Sequence, residues 1–287
     1  MNKRRFIVSL IGWGVLCLSF VFKVEATTIR LDRAKIRLNI LPGNSFSGQI
    51  NIENPSSEPV EIKAYLQDWC YTKAGDGTKE FYSAGATEFS CASWISFSPT
   101  EFLIPAFGQK TINYTVKVPS EAKGTHFAVL FFETTPQASE PEVGMMIKVR
   151  VGALFYIEAK GTTQRKAELD NFHLTQDTKK NLIIETDLLN IGNVDLVCEG
   201  TYHIIDKKGM VIARGEFNKA YTFPQDKVNL KATCKQIFNE GLYDIILTLD
   251  LGKAHQEQGF SGGPVLVKEV EFEIDEEGNI KRVGELR

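Results

Sequence analysis

Three cations spaced one residue apart, Arg33, Lys35 and Arg37, open the first patterned segment of the chain. In a strand this i, i+2, i+4 spacing turns the side chains to one face, where ammonium and guanidinium groups hold a carboxylate by charge-assisted hydrogen bonds. Lys148 and Arg150 repeat the spacing, beside an opposite apolar face of Met145, Ile147, Val149 and Val151. If the two segments are neighbours, their five cations line one cleft; otherwise they are solvated strand faces. The second reactive set is Cys70, Cys91, Cys198 and Cys234. An even number of cysteines in an exported chain points to disulfides, and Cys70 to Cys91 with Cys198 to Cys234 is the simplest of three pairings. No CxxC or HxxxH spacing occurs, and His126, His173, His203 and His255 are scattered, so neither a metal nor any other cofactor is expected. No P-loop, dinucleotide-binding glycine pattern or HExxH is present.

The elements that must position these groups begin after an export signal. Lys3, Arg4 and Arg5 precede an uncharged run from Phe6 to Phe22, and Val24-Glu25-Ala26 supplies a cleavage site, which puts the mature start near Thr27. Cys17 leaves with this leader. No second long apolar run follows, so the expected product is a periplasmic or secreted bacterial protein without a transmembrane segment. The leader removes four basic residues and one acidic residue from totals of 33 and 36, leaving a mature charge of −6. That balance disfavours nucleic acid or any other polyanion bound by bulk charge. With 43% hydrophobic and 24% charged residues, the chain is expected to fold.

Past Thr27 almost every segment alternates apolar and polar residues. Ile36, Leu38 and Ile40 alternate with Lys35, Arg37 and Asn39, and Ile112, Tyr114, Val116 and Val118 with Thr111, Asn113, Thr115 and Lys117. Such period-two patterning marks strands with one buried face. Turn clusters such as Asn54-Pro55-Ser56-Ser57 and Ala74-Gly75-Asp76-Gly77 separate them. Thr125 to Thr134 is apolar on both faces and reads as a central strand; Met145 to Ala159 reads as one long strand. Short strands at this spacing predict an all-β protein of two tandem immunoglobulin-like antiparallel β-sandwiches after the signal peptide. The expected divisions are signal peptide 1–26, first sandwich 27–160, second sandwich 161–276 and a polar tail 277–287. The first sandwich carries a charge of −1 and the segment from 161 to the end −5, so an anionic partner would prefer the first.

Within the first half, "NPSSEPVEIKAYLQDW" (54–69), "SWISFSPTEFLIPAFGQKTINYTVKVP" (93–119) and "GTHFAVLFFE" (124–133) follow one another in an order that resembles the immunoglobulin-like fold of PapD-type periplasmic pilus chaperones and related bacterial surface proteins. "LDRAK" (31–35) and "LFY" (154–156) resemble the two ends of such a chaperone's first domain. The resemblance implies a non-enzymatic, chaperone-like factor that lends a strand to secreted or pilus-like subunits. It also implies a basic cleft that grips the client's terminal carboxylate: Lys35 stands at one anchoring position, whereas the other is Ala153. On this basis Arg33, Lys35, Arg37, Met145, Ile147, Lys148, Val149 and Arg150 are the candidate client-binding residues. The alternative is a structural or adhesive module whose sandwiches present loops.

Two further signals are assigned to structure. Trp69 and Trp94, the tryptophans of the mature chain, are expected to pack inside the first sandwich. "GFSGGP" (259–264) resembles the nucleophile motif of trypsin-like serine proteases, but Phe260 replaces the aspartate and 26 residues after Ser261 are too few to complete that fold. A glycine-rich turn explains the same letters, and no enzymatic activity is expected.

Overall fold

The computed structural model describes residues 29–135, 148–252 and 262–287. The leader, Met145, Ile147 and Ser261 lie outside the described residues. The first half contains β1 (Arg30–Leu31), β2 (Lys35–Ile40), β3 (Ser45–Glu53), β4 (Val60–Tyr71), β5 (Lys79–Ser83), β6 (Ile95–Ser98), β7 (Glu101–Ile104), β8 (Gln109–Lys117), β9 (Thr125–Thr134) and β10 (Arg150–Ala159). They form a sheet of order β1-β3-β8-β6 and a second of order β2-β10-β9-β4-β5, with β7 also paired to β4. The pairing is antiparallel except between β2 and β10, which run parallel.

Alternation explains the layers. Ile50 and Ile52 of β3 and Ile112, Tyr114 and Val116 of β8 fill the space between the sheets, while Ser47, Gln49, Asn113 and Thr115 face outward and pair across the strands. The Asn54 side chain organises its Asn-Pro turn by accepting from the Ser56 amide at 3.0 Å and donating to the Glu58 carbonyl at 2.8 Å. The two-sided β9 lies in the middle of its sheet, with Ala128, Leu130 and Phe132 in the inter-sheet core and Phe127, Val129 and Phe131 in a separate aromatic cluster on the other face.

The second half contains β11 (Ala167–Gln176), β12 (Leu182–Asn190), β13 (Leu196–Asp206), β14 (Val211–Glu216), β15 (Ala220–Thr222), β16 (Lys227–Cys234), β17 (Gly241–Asp250), β18 (Val265–Ile274) and β19 (Ile280–Val283). A sheet of order β11-β12-β16 faces one of order β14-β13-β17-β18-β19, with β15 also paired to β13. The protein is therefore two immunoglobulin-like β-sandwiches. Ile184, Leu188 and Leu230 from one sheet meet Ile245, Leu247 and Phe272 from the other.

Two expectations are corrected here. The segment 277–287 carries β19, and Arg287 exchanges backbone hydrogen bonds with Glu269, so the chain end extends the sheet where a polar tail was expected. The four cysteines stand as separate thiols. Cys91 belongs to the inter-sheet core, whereas Cys70 packs against the aromatic cluster across that sheet. In the second half Cys234 neighbours Tyr202, four residues along β13 from Cys198. At strand rise Cys198 lies ~13 Å along β13 from that tyrosine.

Candidate functional site

In β10, Arg150, Gly152, Leu154, Tyr156 and Glu158 point to the sheet face away from the inter-sheet core, as odd-numbered residues do in β4 and β9. Lys35 and Arg37 join this face because they lie opposite Leu154 and Tyr156. Trp69 is fully buried at its centre, donating from Nε1 to the Ala128 carbonyl at 3.1 Å and lying 5.0–5.5 Å from the rings of Tyr71, Phe127, Tyr156 and Phe223. Phe223 comes from the second half and stacks on Phe127 at 4.0 Å. The tryptophan thus packs, but against the other domain. Trp94 is half-buried, its ring 4.3 Å from that of His126.

Close backbone approach brings the halves together. A Cβ on Gly75 would lie 2.7 Å from Val228, and the Gly75 carbonyl accepts from the Tyr221 amide. Gly124 approaches Asn193 so closely, with φ of +75°, that no side chain fits there. Between these contacts Arg37 spans the domains, with Nη2 to Asp195 Oδ2 at 2.7 Å and Nη1 to Asp195 Oδ1 and Glu158 Oε1 each at 3.1 Å. Arg165 reaches the same Glu158 oxygen at 2.9 Å. Side-chain exposures of 4%, 1%, 0% and 5% for Arg37, Glu158, Asp195 and Arg165 make this a buried network. Burial opposes the charge of Arg37, but Asp195 and Glu158 outweigh it and hold the guanidinium more firmly protonated than usual.

Lys35, two residues earlier, is differently placed. Its Nζ lies 4.5 Å from the Tyr156 ring centroid, and Lys79 Nζ lies 5.6 Å from that of Tyr71. The Tyr71 and Tyr156 hydroxyls are 3.4 Å apart. Desolvation of the ammonium against this aromatic floor, with repulsion from Arg37 and Lys79 partly offset by attraction to Asp195, lowers Lys35 to about 8 even though the residue as a whole is open to solvent. Arg150 caps the other end of the face, 4.1 Å over Phe131 and 5.6 Å from Phe81. Neither Lys35, Lys79 nor Arg150 forms an ion pair among the described residues. The arrangement sets three cations on an aromatic sheet face, a chemistry suited to an anion.

The backbone adds an open edge. Pairing of β2 with β10 starts at Lys35 opposite Leu154, where the Leu154 amide donates to the Ala34 carbonyl at 2.9 Å. Alternate amides of a strand point the same way, so those of Arg150 and Gly152 also face this side. Among the described residues no strand pairs with β10 there from Arg150 to Ala153.

The remaining predicted residues scatter. Arg33 leaves the group: it precedes β2, contacts Asp32 at 3.5 Å and borders a shallow depression with Ser47, Gln49 and Asn113 on the opposite sheet. Arg37 is consumed by the domain contact. Lys148 pairs with Glu133 at 3.4 Å, and Val149 packs against the inter-sheet core. Leu154 to Tyr156 are occupied by β2. Ala153 is fully buried in the inter-sheet core. Sequence reasoning missed Lys79, Asp195 and Glu158. The legible signal was Glu158, the one charge in the run Val151–Ala159, since a carboxylate in an apolar strand demands a partner.

No protein-family model matches the chain, and no curated protein sequence matches it. Similar solved structures include the class 5 fimbriae chaperone CfaA, 16% identical with a TM-score of 0.49, covering 84% of this chain and 97% of that one. A chaperone–tip adhesin complex of CFA/I fimbriae gives 16% identity, a TM-score of 0.48 and the same coverages. The Salmonella enterica SafA pilin in complex with the SafB chaperone gives 11% and 0.41, covering 78% of this chain and 90% of that one.

Proposed function

We propose that this is an exported, non-enzymatic chaperone-like accessory protein in the assembly of pilus or surface proteins, working in the periplasm or outside the cell. It binds client subunits by β-strand pairing. The observation that carries this reading is the unpaired edge of β10 from Arg150 to Ala153 among the described residues, ending where β2 begins and where Lys35 and Lys79 stand without an ion pair. An extended client segment lying in line with β2 completes the sheet, and its terminal carboxylate meets the two ammonium groups. The aromatic floor keeps that contact partly dry, which strengthens it relative to an ion pair in water.

Amide hydrogen exchange on the mature protein with a synthetic peptide of alternating valine and serine, free at its carboxyl end, tests this reading. The amides of Arg150 and Gly152 should gain protection while those of β14 do not. Binding that leaves both β10 amides unchanged, or no binding, overturns it.

A further inference from the structure

Resting on this reading, we infer that Arg150 forms a second anionic subsite, which selects clients carrying an acidic side chain close to their carboxyl terminus. Arg150 lies on the same sheet face as Lys35 and four residues before its partner Leu154, a separation of ~13 Å at strand rise. Its guanidinium lies over Phe131 and beside Phe81, approaches Gln67 at 3.4 Å, and interacts with the Tyr65 hydroxyl without forming an ion pair. The acid opposite it in the ladder, Glu133, feels the Arg150 charge but gives its hydrogen bonds to others, accepting from the Tyr65 hydroxyl at 2.8 Å and from Lys148 at 3.4 Å. A preoriented guanidinium with open donors is suited to bidentate carboxylate recognition.

Register supplies the spacing. Opposed residues of parallel strands share a face, so a client in line with β2 presents one side chain directly beside Arg150. Because Ala34 already accepts from the Leu154 amide and Lys35 lies opposite Leu154, the client's last residue lies near Gly152 or Ala153. The side chain beside Arg150 is then about two or three residues before the terminus. At Gly152 a Cβ would sit 2.7 Å from Val129 and 2.8 Å from Phe131, so β10 itself places no side chain between the two anionic subsites.

The test uses the mature protein and valine–serine peptides that carry aspartate, asparagine or lysine two or three residues before a free carboxyl end. The aspartate peptide should bind on the order of tenfold more tightly than the asparagine one. Arg150→Glu, a change at an exposed position, should invert the order and favour the lysine peptide, while protection of the Gly152 amide persists. Equal affinities for all three peptides, or an unchanged order in Arg150→Glu, overturn this inference and leave the strand-pairing reading standing. Failure of every peptide to protect Gly152 overturns that reading and the inference with it.

Discussion

Arg37 and Lys35 are two residues apart on one strand and share one face, yet they do opposite things. Arg37 is enclosed by Asp195, Glu158 and the Tyr156 ring, and its charge links the two domains. Lys35 rests on the same ring and feels Asp195 at longer range, but forms no ion pair with it. What separates them is where the second domain places its carboxylate. A cation that meets a buried acid directly becomes architecture, whereas its neighbour without that direct pairing stays on the open face.

The contrast is broken most forcefully at the buried end. Arg37→Met should destabilise the protein by ~3–5 kcal/mol, because Asp195 and Glu158 remain buried with too little positive charge. Urea unfolding followed by circular dichroism reads this, and a loss below 1 kcal/mol would contradict a structural role. Phe223→Ala removes the ring that stacks on Phe127 and packs on Trp69, at a cost of ~3 kcal/mol, with a red shift in Trp69 fluorescence.

At the open end the effects should appear in binding. Replacing Lys35 and Lys79 with alanine together should leave the protein no less stable, because the desolvated Lys35 ammonium disfavours the folded state near neutral pH. The same double variant should weaken binding of a carboxylate-terminated peptide on the order of tenfold, leaving an amide-terminated peptide unaffected. Calorimetry on both peptides checks this. The pH dependence sharpens it. Lys35 is protonated below about 8 and neutral above, so affinity for the free-acid peptide should fall several-fold as pH rises through that value. Lys35→Arg should flatten the profile. The sign for folding is opposite: a lysine lowered from 10.5 to about 8 disfavours the folded state at low pH, and that penalty fades as pH rises between those values.

The smallest predicted effect concerns the thiols. Burial raises Cys91 and pushes Cys198 up to about 12, while Cys70 is half-buried. Alkylation of the native mature protein should therefore label Cys70 first, and denaturation should expose all four thiols. Mass spectrometry that finds a bridge after denaturation without reductant would reverse this correction.

Much of the fold was legible along the chain. Ile112, Tyr114 and Val116 face the core because a strand's side chains alternate, and β9 is central because both of its faces are apolar. The site was legible only in part. Lys35 and Arg150 were identifiable as cations on strand faces, but Lys79 reaches the face through a hairpin, and Asp195 is 158 residues from the arginine it pairs with. Arg33 left the group because strand geometry does not begin until Lys35, which frees its side chain to turn toward the other sheet.

The sequence by itself determined the two-sandwich architecture, since period-two burial and turn chemistry act over a few residues. Tertiary structure decided which cations are spent and which remain, where β2 stops covering β10, and which thiols lie apart. Those outcomes depend on distances between segments far apart in the chain. Electrostatic commitment and strand-edge exposure follow from such distances, and local alternation does not encode them.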